Sequence, residues 1–397
     1  MPDVDLPDTD PPHAKPPKSL PIGPDHYRTG PGARHALGAT AARFGGRAYL
    51  VHGEVGFPRI ADDLRASLRA SGVETVERKH VGPATAHAAS VHAAAAREAG
   101  ADVVVTVGGG RVMDVGKSAA GAAGLPCITV PTSPATCAGA TVAVVEYDAA
   151  GVYLASPLLA ELWLVTIVDT GVLAAAPDRL LAAGIADALA KIVEVRYVTG
   201  RAGGSSATVL AALALCERLA GLIDESAASA MAAGPSADGT NDRGVLAEAV
   251  VLWPALIGGL AGEDAKIAAA HAVHNALTHL PGSKVAIHGE LVAYGVLVQQ
   301  VLEGVPAETL RATAEMLASL GCPGGLDALG CGDAREVAAA AVSERTVSAA
   351  EMRVAFPDVS AEGLRRALSV ADEAALAAAA VRADGPVATT GPVRRRE

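Results

Sequence analysis

Between residues 47 and 168 the chain alternates short β-branched and aromatic runs with longer alanine-rich stretches of helical period. The runs are "RAYLVHG", "FPRIADDLRASLRASG", "VETVERKH", "TAHAASVHAAAAREAG", "ADVVVTVGGG", "RVMDVGKSAAGAAG" and "PCITVPTS". Apolar runs too short for a helix, each followed by a segment of 3.6-residue period, predict βαβ units on a parallel sheet. "TVAVVEYD" and "GVYLAS", separated by Ala149 and Ala150, predict a hairpin, and "LWLVTIVD" predicts a last strand. Beyond Pro177 the pattern changes to long helical runs, from "DRLLAAGIADALAKIVEVRYV" to "EGLRRALSVADEAALAAAAV", broken at "AGPSADGTNDRG" and "GCPGGLDALGCGD". The expected organisation is a disordered arm over 1–22, an α/β domain over 23–173, an all-α domain over 174–383 and a flexible tail over 384–397.

Charge and composition narrow the classes. At 397 residues the chain is long enough for two cores, and about half of it is apolar (51%). A formal net charge of -11 disfavours a nucleic-acid surface, which needs clustered Lys and Arg, and the one dense basic run, 394–396, lies in the terminal tail. No nucleic-acid partner is expected. The five cysteines form no C-x-x-C pair, which fits a reducing cytoplasm better than a disulfide framework. The first residues are acidic and proline-rich, unlike a signal peptide. The uncharged run 118–145 is broken by Pro126, Pro131 and Pro134, so no membrane span is expected there.

Two stretches carry candidate chemistry. The strand "VVVTV" runs into Gly108, Gly109 and Gly110 and then into a helix. Such a turn lets a phosphate-bearing ligand approach bare backbone, with amide N–H groups and a positive helix end facing it. The spacing is neither G-x-G-x-x-G nor a Walker A, so a tight strand-to-helix turn is the alternative. An earlier strand ends at Gly53 and Glu54. Glu54 there either accepts an adenosine ribose, favouring NAD over NADP by repelling a 2′-phosphate, or is a solvated turn residue. In "AAAHAVHNALTHLPGSKVAIHGE", His271 and His274 share one helix face and His288 opens the next helix. Asp187 lies in an apolar helical run, where an unpaired carboxylate is costly and calls for a cation. An Asp/His/His metal site is one reading and structural histidines the other.

Together these residues resemble the iron-containing alcohol dehydrogenases, in particular their glycerol-dehydrogenase-like branch. The resemblance is carried by "GGGRVMDVGKSAA", "VPTSPATCAGATVAVVEYDAAGVY", "VTIVDTGVLAAAPDRLLAAGIADALAKIVE" and "AAAHAVHNALTH" followed by "HGE", with "AFPDVSAEGLRRALSVAD" as a weaker match. It implies a dehydroquinate-synthase-like two-domain fold, metal ligands at Asp187, His271 and His288, and self-association. It also implies cofactor contacts at Glu54, Gly109, Gly110, Arg111, Asp114, Thr132, Thr141 and Tyr147. His274, on the helix face of His271, reads as a catalytic proton relay or substrate contact, with a packed, hydrogen-bonded histidine as the alternative. The family's fourth ligand, a His, falls on Lys191, which leaves three ligands and an open position suited to zinc or iron. Where glycerol dehydrogenase has an Asp this chain has Cys137. A lost carboxylate and a gained cation suit a 2-oxo or 2-hydroxy acid better than glycerol, as in a hydroxycarboxylate-dehydrogenase-like subgroup. Cys137 as a small buried residue and Lys191 as a solvated helix lysine are the alternatives. The implied function is hydride transfer between NAD, or NADP, and a small alcohol or carbonyl compound. A dehydroquinate-synthase-like lyase and a non-catalytic binding protein are the rival classes.

Overall fold

The computed structural model describes residues 20–202, 206–262, 265–331 and 335–384. Of the arm and the tail expected from the sequence, 1–19 and 385–397 lie outside the described residues. Residues 20–22, read with the arm, pass along a helix of the C-terminal half: a Cβ on Gly259 would stand 2.5 Å from Ile22 Cα.

The N-terminal half runs β1 (His26–Gly30), α1 (Leu37–Ala41), β2 (Arg47–His52), α2 (Ala61–Ala70), β3 (Glu74–Lys79), α3 (Ala86–Glu98), β4 (Val103–Gly108), α4 (Gly110–Ala123) and β5 (Cys127–Pro131). There follow the short antiparallel hairpin β6 (Glu146–Tyr147) and β7 (Tyr153–Ala155), and then β8 (Leu164–Asp169). Six strands form one sheet in the order β1-β8-β5-β4-β2-β3, every pair parallel. Alternate residues face opposite layers, as strand geometry requires. Val103, Val105 and Val107 pack with Leu64 and Leu68 of α2 on one face. Val104 packs with Ala96 of α3 and Ala120 of α4 on the other. Near-continuous apolar strands covered on both faces are what a parallel sheet demands.

Strand order reverses between β2 and β4, which lie side by side with His52 opposite Val107. A doubly wound sheet opens a crevice at the carboxyl ends of its strands at such a point. The Gly53–Glu54 corner and the glycine turn therefore share one edge, tied by Gly53 N–H donating to Val107 O at 3.0 Å.

The C-terminal half is helical: α5 (Thr170–Ala174), α6 (Asp178–Ala202), α7 (Ala207–Ala233), α8 (Asp242–Ala261), α9 (Ala269–Leu277), α10 (His288–Glu303), α11 (Ala307–Ser319), α12 (Arg335–Ser348), α13 (Ala350–Ala355) and α14 (Ala361–Asp384). Its core joins Ile185 and Ile192 of α6 to Leu246 and Val250 of α8, Val273 of α9 and Leu297 of α10. By length and composition α8 alone among the described helices could cross a membrane, but half of that window is buried inside the fold. Arg243 on α8 is itself fully buried, and its guanidinium donates to the carbonyls of Ala174, Ala176 and Ala230. α8 is a core helix.

Two elements depart from the sequence reading. β1 falls in the part of the α/β domain before residue 47, where the pattern predicts no element, because "HYRTG" has no apolar run and is a strand only through its pairing with β8. The hairpin strands are shorter than the β-rich text around them, and Asp148 Oδ1 closes the corner by accepting from Ala150 N and Val152 N.

Candidate metal centre and dinucleotide turn

Three elements bring the candidate ligands together. Asp187 is on the buried face of α6, His271 in the first turn of α9 and His288 at the start of α10. The "HGE" triplet explains the last placement. A Cβ on Gly289 would lie 2.1 Å from the Ala183 carbonyl, so only glycine lets α10 begin against α6. Glu290 accepts from Ile287 N–H at 2.9 Å, closing the first turn of α10. The same carboxylate takes a two-pronged pair from Arg179 of α6 at 2.6 and 2.7 Å.

One donor atom each from Asp187, His271 and His288 lies within 4.8 Å of the others. His271 Nε2 is 3.3 Å and His288 Nε2 3.5 Å from Asp187 Oδ1. Two ring nitrogens and a carboxylate oxygen converging on one point suit a borderline divalent ion such as zinc or ferrous iron. Burial pushes the Asp187 carboxyl up, but His271 and His288 outweigh it and hold the pKa well below the usual carboxylate range. Burial opposes charge on His271, while Glu194 and Asp187 raise its pKa to about 9. A cation at this point would displace that proton.

Both imidazoles are held from behind. His271 Nδ1 lies 2.7 Å from Glu194 Oε2, and His288 Nδ1 lies 2.9 Å from His274 Nε2. His274 Nδ1 reaches Asn275 Oδ1 at 2.9 Å, and Asn275 Nδ2 points at Glu351 Oε1 at 3.5 Å. Both ring nitrogens of His274 are thus engaged. Burial and the neighbouring His288 and His271 hold its pKa well below that of a free imidazole. Glu194, fully buried, went unnoticed in the sequence. Its signal was there: Asp187, Lys191 and Glu194 sit at i, i+4 and i+7 in an otherwise apolar helix.

α6 continues unbroken from Asp187 to Lys191, so both face the same way. Lys191 is buried, and its ammonium donates to the Lys266 carbonyl in the loop before α9. It is not a solvated helix lysine. Cys137 packs against the helical core. Burial, reinforced by Asp187, raises its thiol to about 12, so at neutral pH it is uncharged.

A Cβ on Gly108 would meet Val112 Cβ at 2.8 Å, so that glycine answers to packing. At Gly109 the nearest atom would be Ser133 Cβ at 3.9 Å, so the protein leaves open the place a side chain would fill. The 14-residue α4 starts there with no side-chain cap on its amides. Bare N–H groups on an open cradle at a helix start fit a pyrophosphate. Arg111 is exposed in the first turn of α4, and Thr132 follows β5, its N–H donating to Gly108 O at 2.9 Å. Asp114 is buried 3.3 Å from Lys117 Nζ, and burial raises its carboxyl pKa. Lys117 also donates to Thr141 O at 2.9 Å and to Ala143 O. On the hairpin, burial and then Asp114 raise the phenol pKa of Tyr147. Glu54 stands at the crevice corner, half exposed and paired with Lys79 Nζ at 2.8 Å.

Comparison with known proteins bears on both regions. A family model described as iron-containing alcohol dehydrogenase matches residues 24–165. The chain is 31% identical to glycolaldehyde reductase of Halobacterium salinarum over 88% of its own length and 96% of that protein's. It is 35% identical to hydroxycarboxylate dehydrogenase A of Escherichia coli strain K12, over 53% of its own length and 58% of that protein's, so it spans under two thirds of this relative. The crystal structure of glycerol dehydrogenase from Schizosaccharomyces pombe superposes with a TM-score of 0.78 at 26% identity, covering 93% of this chain and 94% of that one.

Proposed function

The chain belongs to the iron-containing alcohol dehydrogenase family, and from that premise we propose that it is a metal-dependent, NAD-linked oxidoreductase acting on a small alcohol or carbonyl substrate, with 2-oxo and 2-hydroxy acids favoured. The observation that carries this reading is the convergence of Asp187, His271 and His288 on one point, in a chain that also carries an open glycine turn at the uncapped start of α4. When bound, the divalent ion would polarise the substrate oxygen and the nicotinamide would accept or return the hydride.

The chain's own residues position the partners. Asp187, His271 and His288 hold the ion, with Glu194 and His274 behind the imidazoles. Gly109 and Gly110 offer backbone N–H groups to the pyrophosphate, and Glu54 offers a carboxylate to the adenosine ribose. His288 is the most open of the three ligands, with 24% of its side chain exposed, so the substrate approaches from its side.

Charge supports an acidic substrate. Asp187 and Glu194 carry two negative charges and Lys191 one positive, so a divalent ion among them leaves one positive charge over. A substrate carboxylate neutralises it, and the uncharged thiol of Cys137 does not repel that carboxylate. Similarity to glycerol dehydrogenase favours a polyol as the second reading. We place the protein, on the same footing, in the cytoplasm as a homo-oligomer, which light scattering checks.

The experiment is a substrate panel followed at 340 nm with NAD and NADH, with zinc or ferrous ion supplied. 2-Oxo acids are to be reduced with higher kcat/KM than dihydroxyacetone. Lys191→Met should lower that preference at least about tenfold, or about 1.4 kcal/mol of transition-state binding. An unchanged ratio removes the acidic-substrate reading and leaves the polyol.

A further inference from the structure

Glu194 lies outside the three-ligand set, and hydride transfer makes no direct use of it. It is fully buried on the Asp187 face of α6. A carboxylate there is tolerated only if donors satisfy it, and three do. Oε1 accepts from the backbone N–H groups of Ala268 and His271 at 2.8 and 2.9 Å. Oε2 meets His271 Nδ1 at 2.7 Å. The first two close the N-terminus of α9, whose own N-cap residue, Ala268, has no side chain for that task. The third acts on a ligand.

We propose that Glu194 is a positioning residue: by accepting from Nδ1–H it fixes His271 in the tautomer whose Nε2 lone pair faces Asp187 and His288. The inference rests on reading those three side chains as cation ligands and adds to that reading. An ionised carboxylate only accepts hydrogen bonds, so Nδ1 carries the hydrogen and Nε2 is left to bind. A carboxylate behind a ligand imidazole also makes it a better donor, and losing such a partner typically weakens metal binding by about 10- to 100-fold. Because separate oxygens serve the backbone and the ring, capping and positioning can be separated.

Glu194→Gln separates them. Glutamine keeps an oxygen for Ala268 and His271 N–H but turns an N–H toward Nδ1, which must then accept, sending the ring hydrogen to Nε2. Full-length protein stripped of metal is titrated with zinc against a competing chelator, and its fold is followed by circular dichroism. The expected result is a zinc dissociation constant raised about 10- to 100-fold in Glu194→Gln with an unchanged spectrum. Zinc binding within threefold of the parent protein overturns the proposal and leaves Glu194 a helix cap. If the variant does not fold, nitrogen NMR of zinc-loaded parent protein with labelled histidine decides: Nδ1 of His271 must be protonated, and an unprotonated Nδ1 overturns the proposal. A parent protein that binds neither zinc nor ferrous ion overturns the ligand reading itself, an outcome distinct from equal binding by parent and variant.

Discussion

At the scale of single residues, charge is managed in pairs. The proton on His271 is held by Glu194 and Asp187, which raise its pKa to about 9 from an ordinary value of 6.5. A raised folded-state pKa contributes stability that is complete below about 6.5 and disappears as pH rises through about 9. Metal-stripped protein should therefore lose thermal stability between those values, measured by calorimetry at fixed ionic strength, and His271→Ala should lose that slope. Over the same window zinc affinity should rise by up to about tenfold per pH unit, since binding displaces one proton. At the other end of the crevice, Glu54 and Lys79 are half exposed, so their ion pair adds little stability. We propose that Glu54 acts instead in cofactor choice. NAD should bind more tightly than NADP, and Glu54→Ser should narrow the gap, because a charge-assisted hydrogen bond is worth about 1.5–3 kcal/mol. Fluorescence titration of both cofactors checks this, and a parent protein that prefers NADP contradicts it.

At the scale of elements, close helix approach sets the ligand geometry. α10 starts against α6 only because Gly289 has no Cβ, the Ala183 carbonyl being 2.1 Å from where one would stand. Gly289→Ala should push α10 outward, move His288 away from Asp187, and cost about 1–3 kcal/mol in strain. Denaturant unfolding and metal analysis should report both losses together. Legibility in the sequence followed the strength of local signals. The glycine turn, the helix pair bearing His271 and His288, and the βαβ alternation all announce themselves within a few residues. β1 does not, because five mixed residues become a strand only when β8 supplies a partner. Glu194 was overlooked because a glutamate in a helix reads as solvated until its neighbours are known to be apolar. The spacing from Asp187 was visible, whereas the donors from α9 were not.

At the scale of the whole molecule, the proposed function has a parallel sheet and a helical domain each contribute part of one site. The switch point between β2 and β4 places the glycine turn and the Glu54 corner on one edge. α6 packs against that edge closely enough that a Cβ on Gly184 would collide with the Pro134 carbonyl. The division into an α/β half and an all-α half was legible from the change of pattern at Pro177. The way the halves dock was not, since it depends on contacts between residues dozens of positions apart. We propose that one divalent ion, held by Asp187, His271 and His288, is needed for NAD-linked turnover. The most direct measurement is metal content per chain alongside NADH oxidation at 340 nm, for the parent protein as isolated, stripped and reloaded, and for His271→Ala and His288→Ala. The prediction is about one ion per chain, activity lost on stripping and restored on reloading, and both variants nearly metal-free and inactive while still binding NAD. Turnover that survives stripping, or full metal occupancy with normal turnover in either variant, would contradict it.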